Sequence, residues 1–90
     1  MTDERWYHIT TGHPEMAAYY DDILETVEEP EIVYLGSNDE HIAIKRLNDE
    51  ISKYIVVVYK ELNENDGFII TSFITNKMLY FVKKKIIWKR

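Results

Sequence analysis

The chain contains no cysteine, which excludes a disulfide framework and any thiolate-held zinc and suits a reducing compartment, so the cytoplasm is the expected location. It also lacks any apolar run near the ~18 residues of a membrane span, and it opens on no charged-then-apolar leader. The expectation is a protein without signal peptide or transmembrane helix. No phosphate-cradling glycine loop, nucleophile elbow or paired-carboxylate signature is present either, so the common nucleotide-binding and hydrolase motifs are excluded. Glycine and proline are scarce, three and two residues, and most of them sit where the hydrophobic pattern changes.

What is there is globular: 46% hydrophobic and 30% charged, with seven Tyr, three Phe and two Trp to fill a small core. A chain this short buries roughly 60 to 65% of its extended surface, enough for one core, so residues 1–90 are read as a single domain. Charge is unevenly spread. Residues 1–50 hold thirteen Asp/Glu against three Lys/Arg, a balance of −10, whereas residues 51–90 hold three against eight, or +5. The net −5 repels a polynucleotide at long range unless the basic half forms a patch of its own.

Trp6 and Ile9 at helical spacing predict a short helix over 3–11, interrupted by Gly12. Met16, Tyr19, Tyr20, Ile23, Leu24 and Val27 then form one stripe of an amphipathic helix over 14–28. Pro14 suits its first position, Glu15 complements its dipole and Pro30 marks its end. From Glu31 the pattern becomes strand-like: 31–35, the turn Gly36-Ser37-Asn38-Asp39, 41–47, the turn Asn48-Asp49, 53–61, the turn from Asn63 to Gly67, and 68–75. Tyr54-Ile55-Val56-Val57-Val58-Tyr59, apolar on both faces, predicts an interior strand. Met78-Leu79-Tyr80-Phe81-Val82 reads as turn, helix or strand, and a last strand is expected near 85–89. The fold class is therefore α+β: N-terminal helices on a four- to five-stranded antiparallel sheet whose other face is at least partly open.

Alternation along Phe68–Thr75 sends Phe68, Ile70, Ser72 and Ile74 to one face and Ile69, Thr71, Phe73 and Thr75 to the other. The first set suits a core and the second a half-open floor for a ligand, although threonine is also an ordinary strand former. Adjacent Lys45 and Arg46 point to opposite faces, so only one of them can reach that floor and steady an oxyanion; a strand cation also simply keeps a sheet soluble. His8 and His13 flank Gly12 and share no helix face as a metal pair would, so neither a metal nor a cofactor is expected. As an acid or base, histidine has a suitable pKa, which a helix start would lower for His13; the plain alternative is that His13 caps the helix and His8 packs at the sheet edge. Lys83 to Lys85, Lys89 and Arg90 form a basic tail.

Taken together, Trp6-Tyr7-His8-Ile9, His13-Pro14-Glu15-Met16, the helix ending near Pro30, the strand Tyr54 to Lys60 and the run Gly67 to Thr75 resemble the small phage-associated members of the barnase, EndoU, colicin and RelE-like nuclease superfamily. The resemblance implies a barnase- or RelE-like two-layer fold and a metal-independent endoribonuclease, toxin- or phage-related, in which the RNA 2′-hydroxyl attacks the neighbouring phosphate. It implies catalytic roles for His13, His8, Arg46, Thr71 and Thr75, with Ser72, Phe73, Lys45 and Lys60 expected to bind substrate. RNA is the implied partner, and a protein antitoxin or inhibitor a further one. The competing expectation is a non-catalytic binding module of the same fold, contacting protein or nucleic acid through Phe73 and the basic tail. A third is an antitoxin-like or purely structural protein.

Overall fold

Helix α1 (Asp3–Gly12) begins where the Thr2 side chain accepts a hydrogen bond from the Arg5 backbone N–H, with Asp3 and Glu4 favourably placed in its first turn. A computed structural model of the chain describes residues 2–47, 53–63, 66–77, 81 and 83–90. The helix closes when the His13 backbone N–H reaches the Ile9 carbonyl. Pro14–Ala18 then forms a 3-10 turn, and α2 spans Tyr20–Glu28. The single helix expected over 14–28 is thus two pieces, because Tyr19 leaves helical geometry at φ −118° and ψ 24°. That break seats Met16 and Ile23 in the core with no measurable exposure, while Tyr20 and Leu24 of the expected stripe stay partly in solvent. Thr26 takes an inward place instead, its hydroxyl satisfied by the Asp22 carbonyl at 2.6 Å.

The sheet comprises β1 (Ile32–Leu35), β2 (His41–Arg46), β3 (Tyr54–Asn63), β4 (Asp66–Thr75) and β5 (Lys85–Lys89). All neighbours are antiparallel, in the order β4-β3-β2-β1-β5. The first four form the expected meander, with β3 interior, and the architecture is α+β. The last strand crosses to the far edge and pairs with β1. The turn expected at Asn48-Asp49, Glu64-Asn65 of the turn expected from Asn63 to Gly67, and all of Met78 to Val82 except Phe81 lie outside the described residues. Among the described residues no helix is long and apolar enough to cross a membrane.

Two apolar clusters hold the layers together. On the helix side, Ile9, Met16 and Ile23 meet Leu47, Ile55, Val57 and Ile69. On the opposite face Tyr34, Ile42, Ile44 and Val56 are closed over by Phe81, which stacks on Tyr34 at 6.0 Å. That face was expected to be at least partly open. Its middle is shut because Phe81 packs there against residues of β1, β2 and β3.

Strand β4 also departs from strict alternation. Thr71 pairs with Val58 and Ile69 with Tyr59, so Ile70 is an extra residue without a partner, a β-bulge. Below the bulge the faces exchange. Ile69, expected on the open side, is buried among the helices, and Ile70, expected in the core, is exposed. Above it the alternation holds, with Ile74 on the helix-side core and Phe73 against the opposite cluster.

Candidate functional site

Strand register arranges the outer face, away from the helices, in cross-strand rows. One end is the row Arg46, Tyr54, Thr75; next come Ile44, Val56, Phe73 and then Ile42, Val58, Thr71. Arg46 therefore lies about 10 Å from Thr75, two strand spacings away, and Thr71 and Thr75 each lie ~7 Å along the strand from Phe73. The guanidinium of Arg46 stands 6.0 Å from the Tyr54 ring, and its backbone N–H donates to Glu31 at 2.8 Å. Phe81 closes the middle of this face, while Thr71, Phe73 and Thr75 at its β4 margin stay half-buried.

His13 reaches that margin. Its ring centroid is 5.8 Å from that of Phe73, held there because the α1 end and the 3-10 turn pack against β4. The His13 backbone does terminate α1, but its side chain caps nothing: Nδ1 lies 3.3 Å from Oε1 of Glu15. A carboxylate on that side of the ring can hold it by Nδ1 and leaves Nε2 on the far side. The Pro14 between them keeps the two side chains on one short turn. Glu15 is the partner that sequence reasoning missed, since there it was read only as complementing a helix dipole.

The other candidates divide. Thr71 is half-buried on the same outer face, and the Thr75 hydroxyl accepts from the Lys77 N–H at 3.0 Å while keeping its own proton to donate. Ser72 lies on the helix side with no exposure, its hydroxyl donating to the Val56 carbonyl at 2.7 Å. It holds strands together and cannot reach a ligand. Lys45 points to the helix side too, bonded to Glu25 of α2 at 2.7 Å, so its ammonium serves layer packing. Lys60 pairs with Phe68, six residues along β3 from Tyr54 and so roughly 20 Å from the Arg46 row. One phosphate cannot touch both cations. His8 is exposed on α1, and its ring contact is with Tyr7 at 6.4 Å.

A second cluster was not legible before the register was known. On the helix side His41 opposes Tyr59, with Nδ1 3.4 Å from the phenol oxygen and 3.9 Å from a Glu61 carboxylate oxygen. Burial, and then the Glu61 charge, raise the Tyr59 pKa above its ordinary 10.0. The phenol is accordingly a neutral donor. Because the folded value is the higher one, the associated stability is complete below pH 10 and is lost as pH rises through the folded value. Alkaline unfolding of the wild type should steepen above pH 10, and Tyr59→Phe should remove that component in urea titrations followed by circular dichroism; identical pH slopes would refute the assignment.

Among the described residues no three His, Asp or Glu side chains gather as a metal-ligand group. No protein-family model, curated protein or solved structure matches the chain.

Proposed function

We propose that the β4 margin is the active site of a metal-independent endoribonuclease acting on single-stranded RNA. The observation that carries this reading is the Glu15-oriented imidazole of His13 lying against Phe73, between Thr71 and Thr75 on one strand face. His13 Nε2 takes the proton from a 2′-hydroxyl, O2′ bonds to the adjacent phosphorus, and the P–O5′ bond breaks to leave a 2′,3′-cyclic phosphate. The departing 5′-oxygen needs a proton. His8, exposed one turn before the end of α1, is the candidate donor. Arg46 at the end of the Thr75 row supplies charge to the phosphorane oxygens, and the two threonine hydroxyls donate hydrogen bonds to them. A protein inhibitor would act by covering this margin.

The net negative charge and the aromatic plug over the sheet centre favour one other reading, a binding module of the same shape that performs no chemistry. A chimeric oligonucleotide separates the two. Single-stranded RNA incubated with the protein in EDTA should yield cyclic-phosphate ends, and a substrate with 2′-deoxyribose at the cleavage position should remain whole. Binding without cleavage would establish the module. Cleavage of the deoxy substrate would exclude 2′-hydroxyl attack.

A further inference from the structure

The sheet ends in an edge strand built unlike the rest of the surface. Every residue of β5 is exposed, including Ile86, Ile87 and Trp88 at 48%, 39% and 47%. As the outermost strand it pairs with β1, and among the described residues one row of its backbone donors and acceptors has no strand partner. Lys83, Lys84, Lys85, Lys89 and Arg90 bracket the apolar triplet with no acidic residue among them, and none forms an ion pair among the described residues.

The opposite edge is treated differently. There the Arg5 guanidinium covers Phe68 at 4.6 Å and His13 covers Phe73. Helices α1 and α2 make their main sheet contacts with β4, β3 and β2. On β5, Trp88, paired with Val33, and Lys85, paired with Leu35, face the helix side, while Ile86, paired with Tyr34, and Lys89, paired with Ile32, face the other, so both sets are reached together only from the strand's open edge.

A complementary surface exists on the same chain. The solvent stripe of α2 carries Asp21, Leu24 and Glu28 at helical spacing, two carboxylates around an exposed leucine, with Glu25, the partner of Lys45, beside them. We propose that the β5 edge is one half of a self-association surface, and that its occupant is the acidic outer stripe of α2 in a second copy of the chain. Lysines flank the apolar triplet and carboxylates flank Leu24, so like meets like in hydrophobicity and opposite meets opposite in charge. Pairing of β5 with a second β5 is disfavoured, since antiparallel register centred on Ile87 sets Lys85 against Lys89. RNA satisfies the lysines but leaves two isoleucines in water. The inference is independent of the ribonuclease reading, because the β5 edge and the His13 margin lie on opposite edges of the sheet.

Sedimentation velocity from micromolar to millimolar protein tests it. The wild type should rise toward twice the 10.8 kDa chain, with association weakening at least tenfold as salt shortens the Debye length from about 10 Å at 0.1 M to about 3 Å at 1 M. The variant carrying Lys85→Glu and Lys89→Glu should be monomeric, as should the variant carrying Asp21→Lys and Glu28→Lys. All four positions are exposed, and circular dichroism checks that both variants fold. An equimolar mixture of the two should restore a one-to-one pair, since each contact is again between opposite charges. A wild type monomeric at millimolar concentration overturns the proposal, as does folded charge-swap variants' failure to pair. So does a monomer that binds a fluorescent single-stranded RNA and releases it on Lys85→Glu and Lys89→Glu, which would give the edge to nucleic acid.

Discussion

Replacing His13 by alanine should lower the rate of EDTA-resistant RNA cleavage by about 10²- to 10⁴-fold, the usual worth of a positioned general base. Its side chain is 39% exposed and its neighbour Glu15 is a surface group, so the melting temperature should hardly move. Loss of rate without loss of fold is the signature sought. Glu15→Gln keeps a hydrogen-bond acceptor beside Nδ1 but removes the charge that steadies an imidazolium, so a smaller loss is expected than for His13→Ala. Arg46→Ala should cost on the order of 10² through lost stabilisation of phosphorane charge, with folding preserved because the bond from Arg46 to Glu31 uses the backbone N–H. Undiminished cleavage by His13→Ala would remove the imidazole from the mechanism. A fall in rate matched by a fall in melting temperature would mean that the residue is structural.

The largest stability effect is expected at Ile23, where truncation to alanine should cost about 2 to 5 kcal/mol. Its side chain has no measurable exposure, and it belongs to the cluster joining Ile9 and Met16 to Ile55 and Val57. The cost has two sources. The variant loses the burial of three methyl or methylene groups, and a cavity opens between the nine-residue helix and the sheet. A domain of this size has roughly 5 to 13 kcal/mol in total, so the variant should melt more than about 10 °C lower. Glu28→Ala, on the exposed side of the same helix, should stay within ~0.5 kcal/mol. Equal melting temperatures for Ile23→Ala and wild type would show that α2 does not lock the layers.

Both predictions rest on features of differing legibility in the primary structure. The strand segments and the turn at Gly36 to Asp39 were readable because turn-forming residues interrupt runs of β-branched and aromatic side chains, and those preferences act locally. Asp39 does take the left-handed conformation there, at φ 64°. The separation of Lys45 from Arg46 was readable as well, since adjacent residues on a strand cannot share a face. Periodicity failed at Tyr19 and at Ile70. In each case the chain gives up local regularity so that neighbours fit: the break after the 3-10 turn buries Met16 with Ile23, and the bulge buries Ile69 beneath α1 and α2.

The residue pattern alone therefore determined the order of elements, the α+β class and the sidedness of most strands, because these follow from short-range sterics and the two-residue repeat of an extended chain. Tertiary structure alone decided that β5 closes onto β1, that Phe81 seals the sheet centre, that His41 meets Tyr59 and that Glu15 aims His13 at Phe73. Except for the Glu15 pairing, each of these joins residues far apart along the chain. Such contacts are set by strand register and packing, which depend on the whole set of partners competing for the same core.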